Sequence, residues 1–327
     1  MADSKDRLPA ASGQLLLIRA VGGRVRKSDL WPDSAVRLGV LRDAGAAYRL
    51  GSWLEGFCYR HAWLITGQST EIVSSIVGRF PRCRTFHWSN GVDCDAFGPD
   101  KATPESHQLL GRNGNCVALY AGLHGFAQGL EVLVDAAASL PSSAALEMVL
   151  MGDGPKKRTV VDRVRDRQVQ RVRFLGSRPH VEMPALLAAA DVLLVPLASY
   201  IPGAVPSKLY EAMASGRPVV LMAEGEAAHI VRRHDAGIVV APGDVAGLGN
   251  ALQALSCNAD LRSRLGANGR AAAVQFFNRD TIAARLIGAL EEGFSGTTRP
   301  ARPWLLHRRS ATAPGPGILA RDSERTR

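Results

Sequence analysis

Apolar runs and amphipathic stretches alternate along most of this chain. From Cys116 the alternation is strict. Val117-Ala118-Leu119-Tyr120-Ala121 is followed by helical spacing over 128–140, and Leu146-Glu147-Met148-Val149-Leu150-Met151 by a charged helical stretch over 155–168. Val172-Arg173-Phe174-Leu175, a helix over 181–190, Val192-Leu193-Leu194-Val195-Pro196, and a helix over 206–215 continue it. Strand 218–222, helix 225–234, strand 238–240 and helices over 244–256, 258–274 and 278–293 complete the unit. Strands that read as continuous apolar runs between helices of this length predict a doubly wound parallel sheet of Rossmann type over residues 116–295.

Upstream the pattern is looser. Residues 1–28 carry no sustained periodicity and read as an irregular segment. A polar Pro-containing stretch, Asp29 to Asp33, precedes helical spacing over 33–41 and 45–60. Trp63-Leu64-Ile65-Thr66 then reads as a strand, Ser69 as the cap of a helix over 70–79, and Arg84-Thr85-Phe86 as another strand. Residues 29–98 are expected to form a small α/β unit, 99–115 a polar linker, and 296–327 a disordered basic tail.

Composition narrows the class without naming a function. At 327 residues and 46% hydrophobic, the chain has material for sizeable cores. Five cysteines (Cys58, Cys83, Cys94, Cys116, Cys257) with no CxxC pair are expected as buried thiols rather than disulfides or a metal site. The net charge of +10 is concentrated at the ends: six Lys/Arg against two acids in residues 1–28, and seven Arg against two acids in 296–327. The body is nearly neutral, so no nucleic-acid partner is expected, and the basic ends are read as solvated tails. No stretch reaches the ~18 uninterrupted apolar residues of a membrane helix, and no signal peptide is legible. The expected location is the cytoplasm.

In an open parallel sheet, ligands bind at the loops that leave the carboxyl ends of the strands. Three such loops are unusual here: Gly122-Leu123-His124-Gly125-Phe126-Ala127-Gln128-Gly129, Gly152-Asp153-Gly154-Pro155, and Ser199 to Ser207, which opens a helix at Pro206-Ser207-Lys208-Leu209. Glycines admit backbone N–H groups close to a ligand, and helix N-termini favour phosphate. Together they point to an anionic, nucleotide-like ligand. Glu211, one turn into that helix, has the reach for a pair of ribose hydroxyls or simply complements the helix dipole; Lys208 suits a diphosphate or a solvated surface.

The segment Pro206 to Val220 resembles family 4 glycosyltransferases of the GT-B fold. The likeness extends through Leu119-Tyr120-Ala121-Gly122 with Gln128-Gly129-Leu130, Met151-Gly152-Asp153-Gly154-Pro155, Arg173-Phe174-Leu175-Gly176, Ala189-Ala190-Asp191-Val192 and Ala236 to Asp244. Ser89-Asn90-Gly91-Val92-Asp93, with Phe97 and Pro99, resembles the family's interdomain hinge. Asp29 to Ser34 with Trp53, Tyr59 and Ile65-Thr66 resembles the branch that builds bacterial capsule, colanic-acid and O-antigen sugars.

This resemblance implies two facing Rossmann-like domains, the N-terminal one incomplete here because a GT-B N-domain needs roughly twice the chain available before the hinge. It implies retaining transfer of a sugar from a nucleoside-diphosphate sugar, a UDP-sugar, to a saccharide or lipid-linked saccharide acceptor, with peripheral association at the inner membrane. It places Glu211 on the donor ribose, the Gly122, His124 and Gly125 loop with Pro206, Ser207 and Lys208 on the diphosphate, and Gln128, Gly152, Gly154 and Leu209 elsewhere about the donor. Leu175 and Gly176 fall near the base. Lys208 and Glu211 are the residues expected to carry the chemistry, with no metal and no other cofactor. The family's first paired glutamate falls at Gly203, its basic pair at Leu123 and Gln128, and one frequent glutamate at His229. Lys156, Lys157 and Arg158 are then candidates to supply the missing positive charge. Two other readings stay open: a nucleotide-sugar-binding protein without turnover, and a UDP-sugar epimerase on the same scaffold.

Overall fold

The computed structural model describes residues 24–27, 32, 36, 41–43, 45–111 and 114–294. The expected irregular segment over 1–23, the helix over most of 33–41 and the tail over 296–327 lie outside the described residues.

Two parallel sheets organise the described chain. In the first, β1 (Arg24–Lys27), β2 (Leu64–Gly67) and β3 (Thr85–His87) lie in that order. The strand at Arg24–Lys27 corrects the reading of residues 1–28 as wholly irregular. Four residues are too few to show periodicity, and it is parallel pairing with β2, Val25 opposite Ile65, that makes them a strand. Helix α1 (Ala46–His61) joins β1 to β2, and α2 (Thr70–Arg79) joins β2 to β3. The Ser69 side chain accepts from Ile72 N–H at 3.2 Å, so the expected cap is made. Between them lies a small core of Tyr59, Ile65, Ile72 and Ile76. Glu55, buried on α1, is held there by both Arg79 guanidinium nitrogens (2.7 and 3.2 Å) and by the Tyr59 hydroxyl at 2.9 Å. A buried carboxylate needs such partners to offset its lost hydration.

The second sheet has six strands in the order β6-β5-β4-β7-β8-β9. These are β4 (Cys116–Ala121), β5 (Leu146–Met151), β6 (Val172–Leu175), β7 (Val192–Pro196), β8 (Val219–Met222) and β9 (Gly237–Val240). Helices α4 (Leu130–Ser139), α5 (Lys157–Asp166), α6 (Met183–Ala189), α7 (Ser207–Ala214), α8 (Gly225–Arg233), α9 (Val245–Cys257) and α10 (Ala259–Phe276) cover it. Alternate residues of one strand enter opposite cores: Val117 and Leu119 pack with Leu209 and Met213, while Ala118 and Tyr120 pack with Leu133 and Leu252. That two-sided burial is why these strands are apolar throughout.

The segment 99–115 is not a plain linker: a turn at Pro99–Lys101 leads into α3 (Pro104–Leu109), closed by a Thr103–Ser106 capping box. Six residues are too few for helical spacing to stand out, and a box with serine at its third position lacks the glutamate or glutamine of the usual signature. The cysteines also depart from expectation. Cys94 and Cys116 are buried, Cys58 and Cys83 half-buried, and Cys257 exposed because α9 ends there at the surface.

Helix α11 (Arg279–Phe294) leaves the second sheet beside the Ser89–Pro99 segment. Val92 N–H donates to Phe277 O at 2.8 Å, and Arg279 N–H to Val92 O at 3.0 Å. Arg270 completes the seam, donating to the carbonyls of Phe97 (2.6 Å), Ala214 (3.0 Å) and Cys94 (3.0 Å). Replacing it by methionine keeps the stem and strands three carbonyls. We expect Arg270→Met to cost about 2 kcal/mol, a fall in Tm of about 4–8 °C by calorimetry; an unchanged Tm would show that water replaces the guanidinium there without loss.

Candidate functional site

Strands β4 and β7 are neighbours in the middle of the second sheet, but the chain leaves them in opposite directions. From β4 it passes through α4 to β5 on one side; from β7 it passes through α7 to β8 on the other. The two outgoing loops diverge, and a crevice must open where they part. A cavity of about 150 Å³ lies there, lined by Tyr120, Gln128, Val195, Pro196, Leu197, Pro206, Ser207 and Lys208. Its floor is apolar strand end, and its rim is the start of α7.

Lys208 reaches back from the second position of α7 to the end of β4. Its Nζ lies 3.3 Å from the Tyr120 hydroxyl and 4.8 Å from the Tyr120 ring centroid. The same ammonium occupies the space a side chain at position 122 would need. Gly122 has φ +150°, and it is this backbone conformation that calls for glycine; a side chain there would also push the ammonium aside. Among the described residues Lys208 makes no salt bridge. Burial holds its pKa below the ordinary lysine range, with nearby Glu211 opposing that shift. Tyr120 in turn donates to Leu123 O at 2.6 Å, so its ring and hydroxyl are fixed beneath the cation.

The neighbouring loops pack on this contact. Gly122 N–H donates to Met151 O at 2.9 Å and Gly152 N–H to Leu175 O at 3.0 Å, which aligns the ends of β4, β5 and β6. A side chain at Gly152 would strike the Gly122 carbonyl, and one at Gly154 the His124 backbone. His124 itself is fully buried, and neither ring nitrogen makes a hydrogen bond of normal geometry among the described residues. Its backbone is bonded on both sides, N–H to Asp153 O and carbonyl to Lys156 N–H, each at 2.8 Å. The imidazole thus fills the junction of two glycine-rich loops, where burial, then the Lys157 ammonium, depresses its pKa. Gln128 Oε1 is buried beside the cavity without a hydrogen-bond donor among the described residues, next to Gly125.

The structure therefore gathers Gly122, Gly125, Gln128, Pro206, Ser207 and Lys208 about the crevice, with His124, Gly152 and Gly154 directly behind it. Leu209 is fully buried in the core beneath α7, so only its backbone faces the loop side. Glu211 lies a turn further on, mostly buried, 3.8 Å from His180 Nε2. Leu175 ends β6, and Gly176 is exposed with open space about it. Each of the three alternative cations has a partner: for Lys156 it is Glu131 (3.1 Å), for Lys157 the Gly152 carbonyl behind the crevice (3.0 Å), and for Arg158, at the surface, Asp162 (4.0 Å). His229 is exposed on α8.

Sequence reasoning missed a set of contacts between α2 and the second sheet. Glu226, on the first turn of α8, accepts from Thr70 N–H, Thr70 Oγ1 and Glu71 N–H, all at 2.8 Å. Glu71 reciprocates, accepting from Gly203 N–H at 2.9 Å and from the Tyr200 hydroxyl. Gly203 has φ +71°, and a side chain there would meet Ile72. The loop that ends in Lys208 is thus held by a carboxylate from the other sheet. No local pattern signals it, because its partners are more than 120 residues apart in sequence.

Two outcomes follow from these contacts. Glu226→Ala removes the carboxylate that accepts all three hydrogen bonds at the start of α2, and amide exchange at Thr70 and Glu71 should quicken about tenfold, as expected for a lost helix cap; unchanged exchange would mean water serves as well. For His124, a depressed pKa means the fold prefers the neutral ring, so the unfolded chain protonates first as pH falls through about 6.5. Its contribution is present above that pH and lost below it. His87 and His234 share this direction, so the test is a difference. The Tm advantage of the wild type over His124→Gln should shrink between pH 7.5 and 5; a constant gap would sink the assignment.

Residues 115–258 match the family model described as glycosyl transferases group 1. A probable glycosyltransferase, WbjE, of Pseudomonas aeruginosa is 28% identical over 240 residues, 72% of this chain and 60% of that protein. A GDP-mannose-dependent alpha-(1-6)-phosphatidylinositol monomannoside mannosyltransferase of Mycobacterium tuberculosis is 30% identical over 205 residues, 60% of this chain and 53% of its own length. The chain thus spans a little over half the length of these relatives. The crystal structure of Anabaena HepE in complex with UDP superposes with a TM-score of 0.69 at 22% identity, covering 82% of this chain and 72% of that one. Residues 115–258 are therefore similar to that glycosyltransferase family model, and the chain has the parallel-sheet α/β fold seen in GT-B glycosyltransferase structures.

Proposed function

We propose that this protein transfers a sugar from a UDP-sugar to a saccharide or lipid-linked saccharide of the cell surface, on the cytoplasmic side of the membrane and with retention of anomeric configuration. The observation that carries this reading is the Lys208 ammonium, placed without an ion-pair partner among the described residues, on Gly122 at the N-terminus of α7. In glycosyl transfer the bond between the anomeric carbon and the β-phosphate oxygen breaks. Negative charge gathers on the departing diphosphate while the sugar becomes oxocarbenium-like. The acceptor hydroxyl forms the new bond and gives up its proton.

Lys208 and the first N–H groups of α7 are aligned before the reaction to receive that charge. Residues Gly122–Gly125 and the backbone of Pro206 and Ser207 would hold the diphosphate, Glu211 the ribose hydroxyls, and the exposed turn at Leu175–Gly176 the base. Leu209 would contribute backbone only. No metal is assigned a role: the compensating charge comes from Lys208 and the helix. Supporting the choice of UDP is the HepE complex, which holds that nucleotide on the same architecture. The likeness to the phosphatidylinositol monomannoside mannosyltransferase supports a lipid-linked saccharide as acceptor.

Lysine burial costs stability that ligand binding would recover, so function and stability should move apart on mutation. UDP at a hundred times its Kd should stabilise the wild type by about 2.7 kcal/mol, a shift of about 5–10 °C. Lys208→Met should keep or raise the Tm of the free protein while abolishing that shift, and Glu211→Ala should weaken it. A shift with NAD and none with UDP, UDP-sugars or GDP would overturn the donor site. UDP binding without transfer to any acceptor would select the non-catalytic reading, and release of an epimerised free sugar the epimerase.

A further inference from the structure

Gln128 brings to the crevice an acceptor that no group among the described residues satisfies. Its backbone is fixed on both sides. Ala127 O accepts from Ala198 N–H at 2.8 Å, and Gly129, at φ +61°, lies against Ala198. From there the half-buried side chain lines the cavity beside Ser207 and Lys208. Its Oε1 is buried, rests against Gly125 and accepts no hydrogen bond among the described residues. The Tyr120 hydroxyl, on the same cavity wall, gives its proton to Leu123 O.

A buried acceptor without a donor is destabilising, and a ligand that supplies the donor recovers that loss. The terminal amide torsion is broad, so Oε1 can turn to the cavity while the backbone stays in place. A diphosphate cannot pair it, because an ionised phosphate only accepts; Lys208 and the start of α7 serve that part of the ligand. Ribose is not the source either. Glu211, assigned to its hydroxyls, stands outside the cavity, 3.8 Å from His180 Nε2. What remains is the transferred sugar. Two ring atoms flank its anomeric carbon: the ring oxygen, which only accepts, and C2. The C2 substituent is therefore the nearest group to the diphosphate that can donate. We infer that Gln128 Oε1 accepts a hydrogen bond from the C2 substituent of the transferred sugar, a hydroxyl or an amide N–H, and so selects donors that carry one. The inference rests on the UDP-sugar reading of the crevice and adds which sugars the crevice admits. Gln128 acts here as a specificity-determining residue.

The test is titration calorimetry on the full chain with four probes. They are UDP, UDP-glucose, UDP-N-acetylglucosamine and UDP-2-deoxy-2-fluoroglucose, whose fluorine cannot donate. We expect the wild type to bind UDP-glucose, UDP-N-acetylglucosamine or both about tenfold more tightly than the fluoro analogue, the loss typical of a buried acceptor left unpaired. The sugar that is preferred names the C2 group as hydroxyl or amide. Gln128→Met keeps the length of the side chain and removes the acceptor. It should erase the preference, leave the affinity for UDP where it is, and keep or raise the Tm of the free protein. A fluoro analogue bound as tightly as the other two sugars, or a preference that survives Gln128→Met, would overturn the inference. Weaker UDP binding by Gln128→Met would overturn it by putting the amide on phosphate or ribose. A lower Tm would do so by showing that the amide already has a partner. Failure of the wild type to bind UDP at all is a different result: it removes the donor site itself, and the inference with it.

Discussion

The reversal of strand order between β4 and β7 is the constraint from which the candidate site follows. Parallel strands need crossover helices, and helices on both faces leave a sheet with no free side on which to bind anything. The exception is an edge where two neighbouring crossovers depart in opposite directions. There the backbone parts without any residue being removed. The Val195–Leu197 strand end, Tyr120 and the start of α7 line that gap because they are the ends of the elements that diverge. A site made this way needs no cavity in the core, and its rigidity is that of the sheet.

Within that gap the placement of one charge dictates several side-chain absences. Lys208 can lie against β4 only if position 122 has no side chain, and β5 can approach only if position 152 has none. Tyr120 supplies a ring and a hydroxyl under the ammonium, which softens the cost of burying it but does not neutralise it. The loop leading to Lys208 is in turn anchored by Glu71, whose own helix is capped by Glu226. The loop that carries Lys208 is thus held from the smaller sheet's side, which couples the crevice to the arrangement of that sheet. That coupling gives α2 a reason to lie where it does.

Much of this was legible in the sequence because the signals are local. Ser69 caps α2 as its position foretold, and helix spacing placed α4 to α11 within a few residues of their observed ends. Gly122, Gly152, Gly154 and Pro206-Ser207-Lys208 stood out because glycine and proline record backbone geometry directly. The strand at Arg24–Lys27 and the helix at Pro104–Leu109 were not legible, being a turn or two of chain whose structure comes from pairing and capping. Leu209 and His124 were placed about the donor by the resemblance, and the structure buries both side chains fully.

By itself the sequence determined the order of strands and helices, their apolar faces and the loops rich in glycine, because each depends on residues within a turn or a strand of one another. It also determined the resemblance to glycosyltransferases, since motif order is a property of the chain. Only the tertiary structure decided that strand order reverses at β4 and β7, that Lys208 rests on Gly122, that Glu71 and Glu226 exchange contacts across the two sheets, and that Leu50, Trp53, Leu54 and Phe57 of α1 are exposed among the described residues. Each of those joins residues far apart in sequence, or requires knowing what fails to pack against a surface. Periodicity records which side of a helix is apolar, but not what covers it.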